Sequence, residues 1–191
     1  MTELSNIKVK RKTGEEYFEY KKNILDFNLI DFWSWNQSDL IENRTRGVLA
    51  EFIVKKALGI KNESRIEWDD YDLVTEKGTK IEIKSAAYIQ TWEQKKYSNI
   101  TFNISKTAGS EENPEYNGKH QRWSDFYVFC LLNCKNQKEI NPMNLEQWTF
   151  YVLRTETLNE KVGNQKSIGI NSLLKLNPKI ATYKELQMMI K

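Results

Sequence analysis

Residues 71–85 read YDLVTEKGTKIEIKS, and their spacing sets the arrangement of the rest of the chain. Two alternating runs, 71–75 and 79–88, predict strands separated by a turn. If Glu76, Lys77 and Gly78 form a three-residue loop, Gly78 takes the left-handed position and makes a bulge, so Thr75 pairs with Thr79. Counting back, Asp72 faces Glu82. Because side chains alternate along a strand, Asp72, Glu82 and Lys84 then project together, while Tyr71, Leu73, Ile81 and Ile83 project to the other side. The apolar side can be core and the charged side a site.

Two carboxylates opposed at about 5 Å repel each other unless a cation sits between them. A hard divalent ion suits that demand. Magnesium takes oxygen ligands, keeps several waters, and commonly uses one or two protein carboxylates plus a substrate phosphate. It can polarise a phosphate and lower the pKa of a bound water. Lys84 could orient that water or balance the charge growing on phosphorus.

Upstream, Ser38 and Asp39 offer N-cap chemistry, and the run 46–58 ends at Gly59, a C-terminal cap position, so 39–58 is expected to be one or two helices. Gly47, Glu51, Val54 and Leu58 follow helical spacing and put Glu51 on a mostly apolar stripe. A carboxylate there needs a partner, which the same metal would supply directly or through a water.

Downstream, 99–104 alternates like a strand, 105–124 is a polar loop long enough to be either functional or disordered, and 125–133 and 147–154 are apolar runs expected as buried strands. A short strand is expected at 65–68, and helices at 170–176 and 183–190, the latter with Thr182 as N-cap. The order predicts a single α/β domain over 23–191. Residues 1–22, with Lys8, Lys10, Arg11 and Lys12, read as a flexible basic arm, and the aromatic stretch 27–35 as anchoring surface in which Trp33 and Trp35 pack.

The 191 residues suffice for one substantial core, and 39% hydrophobic content is globular. With 29 Lys and Arg against 26 Asp and Glu, the net charge of +3 is too small to identify a nucleic-acid partner. Cys130, Cys134 and the single His120 have no zinc-ligand spacing. No apolar signal core opens the sequence and no run approaches the ~20 residues of a membrane helix, so a cytoplasmic protein without a membrane partner is expected.

An acid in a helix, a later Asp, and Glu-x-Lys on the following strand resemble the PD-(D/E)xK, or restriction-endonuclease-like, nuclease pattern. That resemblance implies a central mixed β-sheet flanked by helices and magnesium-dependent hydrolysis of phosphodiester bonds, with manganese as a substitute. It also implies metal ligation by Asp72 and Glu82, a contribution to the metal site from Glu51, and Lys84 as the catalytic lysine. Gln90, six residues beyond Lys84, resembles a glutamine that some branches place near the site. Tyr71 stands where the motif has proline, which leaves Asp69 and Asp70 as rivals of Asp72.

The function expected is therefore a DNA endonuclease acting on duplex DNA, and a homodimer would let a one-site domain cut both strands. The rivals are a catalytically inactive nucleic-acid-binding or scaffold protein of the same fold, and a hydrolase of nucleotides in an enclosed pocket. Around the site, Arg44 and Arg46 fit phosphate contacts or salt bridges equally. His120 with Lys119 and Arg122, and Lys95 and Lys96 beside Tyr97, read as solvated loop or as DNA contacts.

Overall fold

The computed structural model describes residues 7, 9–61, 64, 65, 70–110 and 118–190. The chain divides into two compact units, Met1–Asp39 with Lys61–Ile66, and Leu40–Ile60 with Glu67–Lys191.

In the smaller unit, β1 (Tyr17–Tyr20) and β2 (Asn23–Asn28) form an antiparallel hairpin leading into α1 (Leu29–Gln37). The turn uses left-handed Lys21 and Lys22, at φ 49° and 66°, so position 22 lies within the hairpin and residues 17–20 belong to a strand. Asn28 caps α1: its side chain accepts from the Asp31 N–H at 3.2 Å, and its own N–H donates to the Asp31 carboxylate at 2.8 Å. No residue of α1 is buried, and Trp35 is 82% exposed, so this aromatic stretch is a helix with an open surface where tryptophan packing was expected.

The larger unit is built on a five-stranded mixed sheet. Its helix α2 (Asn43–Ala57) is capped by Glu42, whose carboxylate accepts from the Thr45 N–H at 2.9 Å; Ser38, one of the predicted caps, instead closes α1. Then follow β3 (Leu73–Val74), β4 (Lys80–Ala87), β5 (Thr101–Asn103), β6 (Phe126–Leu132), β7 (Trp148–Arg154), α3 (Thr155–Val162), β8 (Ser167–Gly169), α4 (Ile170–Leu174), β9 (Lys179–Ala181) and α5 (Leu186–Met189). The sheet order is β3-β4-β6-β7-β9, with β4 and β6 parallel and the other neighbours antiparallel. Strands β5 and β8 form a separate two-stranded ladder.

All of β6 is buried, as its continuous apolar run requires. One face of the sheet packs Ile81, Ile83, Val128 and Phe150 against Ala50, Ile53 and Val54 of α2 and Leu186 of α5. The other packs Phe129, Leu131 and Leu153 against Phe102, Leu158, Ile168 and Leu173. Each such side chain contributes roughly 1.5–3 kcal/mol on burial, so both faces are fixed and β4 is held from two sides. The α/β class with helices on a mixed sheet is as the sequence predicts. Most of the strand expected at 65–68, and the rival ligand Asp69, lie outside the described residues.

Candidate active site

The β3–β4 hairpin has the predicted register, with Leu73 opposite Ile81 and Val74 opposite Lys80. The turn closes through Thr75 N–H to Thr79 O at 3.0 Å and Gly78 N–H to Thr75 O at 2.9 Å, with Gly78 at φ +83°. Asp72, one residue before β3, donates its N–H to Ile81 O at 3.1 Å, and its Oδ2 accepts from the Ile83 N–H at 2.6 Å. Asp72 is thereby tied to the backbone of both neighbours of Glu82, to Ile81 through its own N–H and to Ile83 through its carboxyl. On β4, Lys84 Nζ lies 2.5 Å from Glu82 Oε1, with the two side chains 27% and 18% exposed. The parallel β4–β6 register sets Glu82 beside Tyr127 and Lys84 beside Phe129, so these residues share a face.

This packing brings like charges together in a partly buried place. Burial, then the charges of Glu82 and Glu51, push the Asp72 carboxyl up to about 7 from an ordinary 3.8, against a smaller pull downward from the Ile83 N–H and Lys84. Burial alone would lower the Lys84 ammonium, but Glu82, Asp72 and Glu51 outweigh it and hold its pKa above the usual lysine value. Tyr127 is pushed well above the ordinary phenol range by burial and by Glu82, with Arg122 opposing. Glu51, on α2, therefore acts on both Asp72 and Lys84 through its charge.

Asp72, Glu82 and Tyr127 line a cleft of about 530 Å³ whose other wall comes from residues 105, 107–110 and 121–123 of the long loop. Where it is described, that loop is ordered by specific bonds. Thr107 and Gln121 form an antiparallel bridge, the Trp123 indole N–H donates to Thr107 O at 3.2 Å, and the Ser110 N–H donates to Asp70 Oδ1 at 2.6 Å. Gly109 has φ +80°, and a Cβ there would collide with the Trp123 ring, so only glycine fits. Residues 111–117, at the loop's tip, lie outside the described residues.

The rival Asp70 thus reaches the same cleft but anchors its loop wall. Arg122 is no solvated loop residue: it is buried and donates to the carbonyls of Ile104, Gly163 and Gln165 and to Asn159 Oδ1. His120 is exposed. Gln90 does not line the cleft. It is buried, its amide nitrogen donates to Ala87 O and Ser98 Oγ, and its Oε1 accepts from Arg46 at 3.2 Å. Arg46 is buried as well, bonded also to Ile41 O, Asn43 Oδ1 and Ser85 Oγ with the Glu42 charge acting on it, so its guanidinium is taken up inside the fold and not offered to a phosphate. Tyr127 was not singled out as a site residue from sequence, whereas the loop was read there as functional or disordered; a parallel pairing of 81–87 with 126–132 is the signal that would have placed Tyr127 beside Glu82.

A family model, described as bacteriophage T4 endonuclease IV, matches residues 3–172. The chain belongs to the bacteriophage T4 endonuclease IV family. That membership makes it a nuclease by family, and the match runs through both compact units and every residue of the cleft. No curated protein matches the chain. Among the described residues, no helix of this endonuclease IV family member is long and apolar enough to cross a membrane.

The donor chemistry suits a hard cation: carboxyl oxygens set together, with burial and the charges of Glu82 and Glu51 raising the Asp72 pKa to about 7. Among the described residues, no three acidic, histidine or cysteine side chains are gathered closely enough to hold a metal ion together. Asp72 and Glu82 fit the two-carboxylate mode that magnesium uses with water and phosphate, with Glu51 acting at longer range.

Proposed function

We propose that this endonuclease IV family member is a magnesium-dependent DNA endonuclease of the PD-(D/E)xK class, working in the cytoplasm through Asp72, Glu82 and Lys84. The family's description supports endonuclease activity, and DNA as substrate is the reading drawn from it. The observation that carries the site is the pinned Asp72 carboxyl at the cleft wall, raised to about 7 beside Glu82, which also lines the cleft and pairs with Lys84. Functional sites are where such shifted groups concentrate, because catalysis needs charge held where folding alone would not place it.

A magnesium ion at these carboxylates would supply Lewis acidity toward the phosphate and acidify an attacking water. The residues then have separate tasks. Asp72 presents its oxygens from just before β3 and Glu82 from β4, and the hairpin register with the Ile83 N–H bond sets them side by side. Glu51 adds negative field from α2 that favours a bound cation. Lys84, held charged by three acids, offers a fixed positive group to the negative charge that develops on the phosphoryl oxygens. The Tyr127 hydroxyl, kept protonated, can donate a hydrogen bond into the cleft.

The test is cleavage of supercoiled plasmid, linear duplex and single-stranded DNA with magnesium, manganese or EDTA. Wild type is compared with Lys84→Ala and Asp72→Asn at equal folded concentration. Metal-dependent cutting lost in both variants supports the proposal. Cutting that survives both substitutions places the chemistry elsewhere, and DNA binding without cutting under every metal supports an inactive binding protein.

A further inference from the structure

A second cavity, of about 500 Å³, opens where the loop after β4 meets the loop after β6, and Lys95, Lys96, Tyr97 and Lys135 line it. All four are exposed, and no carboxylate among the described residues lines the cavity. Three lysines lining one cavity with no acid among its lining residues leave it a positive field that an anion would offset.

The lysines stand on a frame fixed by hydrogen bonds. Gln94 accepts from the Gln90 N–H at 2.7 Å, and its amide nitrogen donates to Ser98 Oγ at 3.0 Å. The Ser98 N–H donates to Tyr88 O at 2.9 Å, closing the loop's base. The Tyr97 hydroxyl donates to Lys135 O at 2.9 Å, which ties the two loops together. Lys135 Nζ rides over the Tyr88 ring, 4.3 Å from its centroid, so its direction is set by a cation–π contact. Gln90 thus links the Arg46 network to this loop, a positioning role distinct from the catalytic one its resemblance implied.

We propose that Lys95, Lys96 and Lys135 bind the phosphate backbone of the nucleic-acid substrate at a point away from the cleaved bond, with Tyr97 offering a face to a base or sugar. Lysines interleaved with exposed aromatic rings are the chemistry of backbone-tracking nucleic-acid sites. The patch lies on the continuation of β4, the strand that carries Glu82 and Lys84. Within β4, Ala87 lies five residues beyond Glu82, about 16 Å at ~3.3 Å per residue, roughly five phosphates along one strand of a duplex at 3.4 Å each, and the patch begins past that end. The site would make cleavage depend on substrate length beyond what the cleft itself contacts. This inference rests on the endonuclease reading.

The test uses the full chain in EDTA, so that nothing is cut, and fluorescent oligonucleotides of increasing length, both single-stranded and duplex. The variants are the triple substitution Lys95→Ala, Lys96→Ala and Lys135→Ala, and the matching triple arginine. The triple alanine is expected to bind long oligonucleotides roughly tenfold more weakly, with a log–log salt slope smaller by about 2, since each phosphate contact contributes about 0.7–0.9. It should also lose the gain in affinity with length that wild type shows, while arginine keeps it. Unchanged affinity, slope and length dependence in a triple alanine that still melts like wild type would overturn the patch while leaving the nuclease reading intact. A wild type that binds and cuts no nucleic acid would instead remove the endonuclease reading, and the patch with it.

Discussion

Two polar clusters meet at β4, one through Ser85 and one through Glu82 and Lys84, and they are built on opposite principles. Around Arg46, a buried guanidinium donates to oxygens of Ile41, Asn43, Ser85 and Gln90, and the Glu42 carboxylate adds an attractive opposite charge. Around Asp72, carboxylates press on one another and a lysine is shared among them. The first arrangement satisfies every partner and stiffens the junction of α2 with β4. The second leaves electrostatic repulsion standing in the folded chain. A fold tolerates that where it serves chemistry, and the contrast is what supports the proposal that the Asp72 cluster is the functional one.

Substitutions can break this contrast. The largest effect expected is on cleavage: Asp72→Asn should lower kcat/KM roughly 100- to 1000-fold or more in plasmid assays, as should Lys84→Ala. Next, Arg46→Ala should destabilise the chain by about 3 kcal/mol in urea unfolding, because it strands buried acceptors. The two clusters should therefore respond in opposite currencies, activity for one and stability for the other.

A smaller effect sharpens the same point. The folded Asp72 pKa lies above its unfolded value, so the metal-free protein carries no penalty below about pH 4. The penalty should grow as the group ionises between about pH 4 and 7 and be complete above about pH 7. In EDTA at pH 8, Asp72→Asn should accordingly be more stable than wild type, by an amount on the order of 1 kcal/mol or more, with the gap closing as pH falls. Denaturant midpoints across that range measure it. The smallest change expected is from Gly109→Ala, which should cost about 1–2 kcal/mol and slow cleavage by displacing Trp123 from the cleft wall.

The site hairpin was legible because its information is local. Gly78 fixes the turn, the turn fixes the register, and the register sets Asp72 beside Glu82. The buried strands β6 and β7 were equally plain from unbroken apolar runs. What stayed hidden depends on distant pairings. Arg122 reads as a loop charge until Ile104, Asn159 and Gly163 surround it, and Gln90 reads as a site residue until Arg46 reaches it from α2. Strands β8 and β9 have three residues each, too short to show a period. The helix α1 was obscured because its aromatic residues follow no buried stripe.

The central claim is that the Asp72 and Glu82 carboxylates are set together to receive a divalent cation. Manganese binding to the wild-type chain, followed by electron paramagnetic resonance and compared with Asp72→Asn and Glu82→Gln, tests it most directly. The account predicts saturable binding by wild type that weakens at least tenfold in both variants, in step with lost cleavage. Equal manganese affinity in all three proteins would contradict it.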